Sequence, residues 1–141
     1  MAKQVVAVLG ASPKEDRYSN KAVKMLLEHG HTVIPIHPTA DAIHGQACVK
    51  SLADIKQPVD TLTIYVTEQI ALELLNDILA LKPKRIIMNP GAESATVKTR
   101  AEAAGIKVVT ACTLVLLVTK HFEKSQQEID KSGVMHGEHK F

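Results

Sequence analysis

Five largely apolar runs rich in β-branched residues, Val5–Leu9, Thr32–Ile36, Thr61–Val66, Arg85–Met88 and Lys107–Thr110, recur along the chain with helix-like stretches between them. Strands this uniformly apolar are buried on both faces, the mark of a parallel sheet covered by helices. Repeated strand–helix–strand units with right-handed crossovers wind such a sheet outward in both directions. The pattern predicts an α/β fold: a doubly wound parallel sheet of about five strands inside a three-layer α/β/α stack. Ligands of such sheets bind at the C-terminal strand edge, where the winding reverses.

The helix signals fit between the strands. One helix is expected from Ser19 or Asn20 as cap to His29, with Val23, Leu26 and Leu27 inward and Gly30 just past its end. A second spans Glu68 to Leu81, with Ile70, Leu74, Ile78 and Leu81 as its stripe and Pro83 as its stop. A third runs from Ser94 to Ala104, with Val97, Ala101 and Ala104 inward. Cys48-Val49 reads as a short edge strand. Cys112–Phe122 is either a short helix or an extra strand, and its place after a strand favours the helix. Its run Leu114–Val118 is read as core or as the contact of a homodimer or protein partner. Residues 1–122 are expected to form one domain, and 123–141 a polar, mobile tail without hydrophobic period.

Composition narrows the function. The net charge of +2, with both signs mixed along the chain, lacks the concentrated basic face of a nucleic-acid binder. No apolar run approaches the ~20 residues of a membrane span. The 7 histidines form no metal-binding spacing, and the 2 cysteines form no C-x-x-C. With no secretory leader at Met1-Ala2-Lys3, a reduced, cytoplasmic setting is expected.

The sharpest chemical signal is Gly10-Ala11-Ser12, which ends the first strand ahead of a polar loop and a helix. Gly10 lets the chain turn without a Cβ where a phosphate approaches, and Ser12 adds a hydroxyl. Lys14, Arg17 and Lys21 supply charge, and a guanidinium can grip phosphate through paired donors. The plain alternative is a strand-to-helix turn with solvated charges. A lone glycine is not the G-x-G-x-x-G of dinucleotide enzymes. The second strand ends Ile36-His37-Pro38, with no acid to hold a ribose, which argues against NAD; adenine or ribose packing on Pro38 beside His37 fits instead. Val66-Thr67-Glu68 offers a backbone edge and a hydroxyl, with Thr67 also expected to cap the next helix. Asn89-Pro90-Gly91 is first a turn, with Asn89 within reach of a ligand; Glu93 is a weaker candidate. Cys112 follows a strand end and is read as an inert thiol rather than a nucleophile. No catalytic pair and no metal site stand out.

The stretches Val6–Ser12, Arg17-Tyr18-Ser19-Asn20, Leu26–Gly30, Val33–Pro38, Gly45, Ser51–Ile55 with Val59-Asp60, and Ala101–Gly105 together resemble the small stand-alone CoA-binding domain proteins. They are also similar to the CoA-binding domain of the succinyl-CoA synthetase α-subunit, in which a Thr-Glu loop and a Pro-Gly loop lie at the CoA site. Thr67-Glu68 and Pro90-Gly91 match those positions. The resemblance implies a Rossmann-like sheet with coenzyme A, free or acylated, across its C-terminal edge. Gly10, Ala11 and Ser12 would hold the pyrophosphate, with Arg17 and Ser19 beside it. Pro38 and the Val66-Thr67 backbone would flank the adenosine half, and the pantetheine arm would run toward Asn89, Pro90, Gly91 and Cys112. Relatives often carry Asn-Pro-Lys where this chain has His37-Pro38-Thr39, and Cys-Pro where it has Cys112-Thr113. The expected function is CoA binding without independent catalysis, since no ligase domain accompanies the fold. The alternatives are an NAD(P)-type reductase and a Cys112-dependent acyl or thiol-exchange enzyme.

Overall fold

The computed structural model describes residues 3–137 and 139–141. In chain order it contains β1 (Val5–Leu9), α1 (Tyr18–Glu28), β2 (Thr32–Ile36), a hairpin of β3 (Ala42–Ile43) and β4 (Gln46–Ala47), β5 (Thr61–Ile64), α2 (Glu68–Glu73), α3 (Leu75–Leu81), β6 (Arg85–Met88), α4 (Ala95–Ala103), β7 (Lys107–Thr110), α5 (Thr113–Val118) and α6 (Gln126–Ser132). The five long strands form one parallel sheet in the order β2-β1-β5-β6-β7.

Strand alternation divides the core into two layers. Ala7, Leu9, Leu62, Ile64, Ile86 and Met88 face α2, α3 and α4, where they meet Ala71, Leu75, Ile78, Val97 and Ala101. Val6, Val8, Val33, Ile87 and Val109 face the opposite way, onto Val23 and Leu26 of α1, Leu116 and Leu117 of α5, and Ile129 of α6. All residues of β5 and β6 are buried, including the polar Thr61, Thr63 and Arg85, as suits central strands covered on both faces. The fold is the expected Rossmann-like three-layer sandwich.

The reversal of winding falls between β1 and β5, since the chain adds β2 on one side of β1 and β5 on the other. The short edge strand expected at Cys48-Val49 shrinks to a single parallel bridge, Val49 beside Ile36. Val49 N–H donates to Pro35 O at 3.0 Å and His37 N–H to Val49 O at 3.0 Å, whereas Cys48 N–H is taken by Asp41 in the hairpin at 2.9 Å.

Several local expectations are revised. The third run ends as a strand at Ile64, two residues early; Tyr65 N–H makes a last bond to Leu9 O at 2.9 Å, and β1 turns away at Gly10. The long helix of 68–81 is two helices hinged at Leu74 (φ −98°, ψ 6°). Its buried stripe is Ala71, Leu75 and Ile78, while Ile70 is 43% exposed. Leu114–Leu117 are core and Val118 is exposed. The segment expected to lack a helical pattern forms α6, capped by reciprocal bonds between Ser125 and Glu128. A single inward residue, Ile129, seats it, and one residue makes no visible period.

Candidate functional site

At the C-terminal edge, between the loops that follow β1 and β5, lies a crevice of about 560 Å³ lined by Gly10, Ser12, Asp16, Arg17, Tyr18, Ser19, Tyr65, Val66, Thr67 and Ile70. Gly10 makes it possible. Its φ is +87°, and a Cβ there would sit 2.9 Å from Val66 Cγ1 and 3.2 Å from the Tyr65 carbonyl carbon. Two loops approach across the place where a side chain would otherwise stand.

The crevice carries open donors. Arg17 caps α1 by position, and no side chain closes the helix start. The backbone N–H groups of Ala11, Ser12, Tyr18, Ser19 and Asn20 bond nothing among the described residues. Unpaired N–H groups at the start of an 11-residue helix hold partial positive charge, a ready anion site. Side-chain charge here is close to balanced, with Lys14, Arg17 and Lys21 against Glu15 and Asp16. Attraction for an anion therefore rests on these N–H groups and on the exposed Arg17 fork. Ala11 itself is buried and offers only backbone.

Ser19 and Asn20 are not caps, contrary to expectation; both are buried in the first turn of α1. Asn20 Nδ2 donates to Ser12 O at 2.9 Å, tying the helix to the loop. Ser12 Oγ accepts from Lys14 N–H at 3.1 Å, which rounds the turn. Thr67 stands at the N-cap of α2 but makes no cap bond, so its hydroxyl is free at the crevice.

Ala11 and the other proposed residues do not line the crevice. His37 Nδ1 accepts from Thr39 N–H at 3.1 Å and Ala40 N–H at 2.8 Å, closing its own loop, with Pro38 exposed beside it. Asn89 is 1% exposed: Nδ2 donates to Thr63 Oγ1 at 2.6 Å and to Ile64 O at 2.9 Å, and Oδ1 accepts from Thr113 N–H at 2.9 Å. Its amide splices β5, β6 and α5 instead of facing a ligand. Pro90 and Gly91 are exposed; Gly91 N–H donates to Glu93 Oε1 at 2.8 Å. Cys112 is half-buried at the start of α5, its N–H 3.4 Å from Met135 Sδ.

Sequence reasoning missed Asp16, Tyr18, Tyr65 and Ile70. Among the described residues, Tyr18 and Ile70 are two of the four exposed large apolar side chains, and both stand at this crevice. The signal was present for Ile70, because a stripe from Ala71 fits the helical period as well as one from Ile70. The Tyr65 hydroxyl is buried beside Thr63, Thr113 and Cys112 without a hydrogen bond of good geometry. Burial pushes its pKa far above the ordinary tyrosine value, so it is a neutral donor. Among the described residues no three His, Cys, Asp or Glu gather to hold a metal, and no helix is long and apolar enough to cross a membrane.

These features define a Rossmann-like α/β domain with an anion-ready crevice at its switch point. Residues 4–118 match the family model described as CoA binding domain, and the chain belongs to that family. It is 35% identical over 60 residues to Uncharacterized protein YneT of Bacillus subtilis (strain 168), a match covering 43% of this chain and 44% of that protein. It is 31% identical over 72 residues to the ADP-forming acetate–CoA ligase of Methanocaldococcus jannaschii, covering 51% of this chain and 10% of the ligase. These matches thus span less than half of either relative. A crystal structure of an uncharacterized protein superposes with a TM-score of 0.81 at 37% identity, over 86% of this chain and all of the other.

Proposed function

We propose that this protein binds coenzyme A or an acyl-CoA across the C-terminal edge of its sheet, without catalysing a reaction on its own. The observation that carries the reading is the Gly10 crevice: open N–H groups from the loop and α1 meet at the switch point of a CoA-binding family fold. The diphosphate lies against Gly10, Ala11 and Ser12, with Arg17 and Ser19 at its flank. Val66 and Thr67 border the adenosine half, and His37 and Pro38 meet its outer side. The pantetheine arm leaves toward Pro90 and Gly91; Asn89 supports that loop from beneath. A cytoplasmic setting suits Cys48 and Cys112, both free thiols.

Titration of the purified protein with CoA, ADP and NADP, read by calorimetry and thermal melting, tests the reading. Ligand at a hundred times its Kd adds about 2.7 kcal/mol, a melting shift of roughly 10 °C for a chain this size. CoA is expected to give that shift and NADP none; no heat with CoA at millimolar concentration would end the proposal. Thr39 stands where a lysine would meet the 3′-phosphate. CoA and 3′-dephospho-CoA are therefore expected to bind within about 3-fold of each other, less than one charge-assisted bond provides.

A further inference from the structure

The hairpin β3–β4 turns on two residues, His44 and Gly45, with φ of 48° and 77°. Two-residue hairpins with both φ positive favour Asn-Gly or Gly-Gly, because a larger side chain is strained in left-handed backbone. A histidine held there is strained. The local turn would be better served by glycine.

What His44 gains is a bond elsewhere. Its Nε2 lies 2.7 Å from Asn20 Oδ1, in the first turn of α1. Asn20 Nδ2 in turn donates to Ser12 O at 2.9 Å, so Oδ1 is the free acceptor and the histidine nitrogen is the donor. A hydrogen-bonded line thus runs from the hairpin tip, through a 4% exposed amide, to the carbonyl of the anion loop. A carbonyl oxygen left free in that loop can turn toward an anion and repel it. Bonded to Asn20, the Ser12 oxygen is committed to the buried amide, while Ser12 N–H remains open.

We propose that His44 is a positioning residue for the anion loop: it orients Asn20, and through it Ser12, without touching the ligand. The inference rests on the reading of the crevice as the CoA site. His44→Gly relaxes the turn, so the melting temperature holds or rises, whereas the Kd for CoA increases about 3- to 10-fold, the worth of one hydrogen bond. His44→Gln places an amide nitrogen at similar reach and restores most of the affinity. In the ligand-free protein, the side-chain amide resonances of Asn20 move in His44→Gly and return in His44→Gln. Wild-type affinity with unmoved Asn20 resonances in His44→Gly overturns the inference. So does a fall in melting temperature that parallels the affinity loss, since that marks a role in folding alone. Absence of CoA binding by the wild-type protein would strike the function, while the Asn20 resonances would still report on the line itself.

Discussion

At the N-terminal edge of the sheet a cluster around Thr61, Arg85 and Asp60 pairs its polar groups, whereas at the C-terminal edge the crevice between the β1 and β5 loops keeps N–H groups open. Where the strands begin, Thr61 Oγ1 donates to Gln4 Oε1 at 2.6 Å and accepts from Arg85 Nε and Nη2 at 3.2 and 3.0 Å. Arg85 also donates to Phe122 O and lies 4.7 Å from the centre of the Phe122 ring. Asp60 accepts from Val5 N–H at 2.8 Å and pairs with Lys84 at 3.2 Å. Where the strands end, the N–H groups of the β1 loop and the α1 start, the Thr67 hydroxyl and the exposed Ile70 side chain have no such closure. Free energy left unrealised at one edge is available to a ligand, and the closed edge supplies the rigidity that keeps it available.

Substitutions should separate the two edges. Gly10→Val has the largest expected effect, since it sets a Cβ into Val66 at positive φ. We expect a stability loss of about 2–4 kcal/mol and a CoA affinity too weak to measure by calorimetry. Arg85→Ala empties a buried position at the closed edge and should cost about 2–4 kcal/mol in chemical denaturation. Its CoA affinity should stay within about 2-fold of wild type; a larger change would mean that the edges are coupled. Arg17→Ala reverses the pattern. It should leave stability within about 0.5 kcal/mol and raise the Kd for CoA about 5- to 30-fold, the loss of a charge-assisted contact.

The same contrast explains what could be read in advance. Val6, Val8, Ile86 and Ile87 announce their strands because burial on both faces leaves no choice of residue type. Gly10 is legible because only glycine permits the turn. The hinge at Leu74 carries no glycine or proline, and a helical period alone does not decide between Ile70 and Ala71 for the inner face. Asn89 illustrates a subtler limit: an amide beside a Pro-Gly turn looks like a ligand contact, and only its three tertiary bonds show it is part of the scaffold. Asn20 and His44 meet across 24 residues, a distance that no local pattern encodes. The Ser125-Gln126-Gln127-Glu128 capping box, by contrast, was visible in the chain and is a better guide to α6 than hydrophobic period.

The smallest effect expected is a pH dependence confined to the closed edge. His31 is 4% exposed, its Nδ1 accepts from Gln4 N–H at 3.0 Å, and its ring lies 5.1 Å from that of Phe122. Burial, first, and the neighbouring His29 and Arg85 lower its pKa, against a smaller opposing pull from Glu123. A proton on Nδ1 would also face the Gln4 N–H it now accepts. The native state therefore resists a proton that the unfolded chain takes up near pH 6.5. Stability from this residue is complete above that value and declines as pH falls below it, with a slope no steeper than about 1.4 kcal/mol per pH unit. Asp60 acts in a lower window: its carboxylate is held below the usual range chiefly by the Val5 N–H bond, so its contribution persists above pH ~4 and is lost in stronger acid. Denaturation series between pH 7 and 5 should show the decline in the wild-type protein and a flatter profile in His31→Gln. If His31→Gln keeps the full slope, the proton is taken up elsewhere and the closed edge is not the acid-sensitive part of the fold.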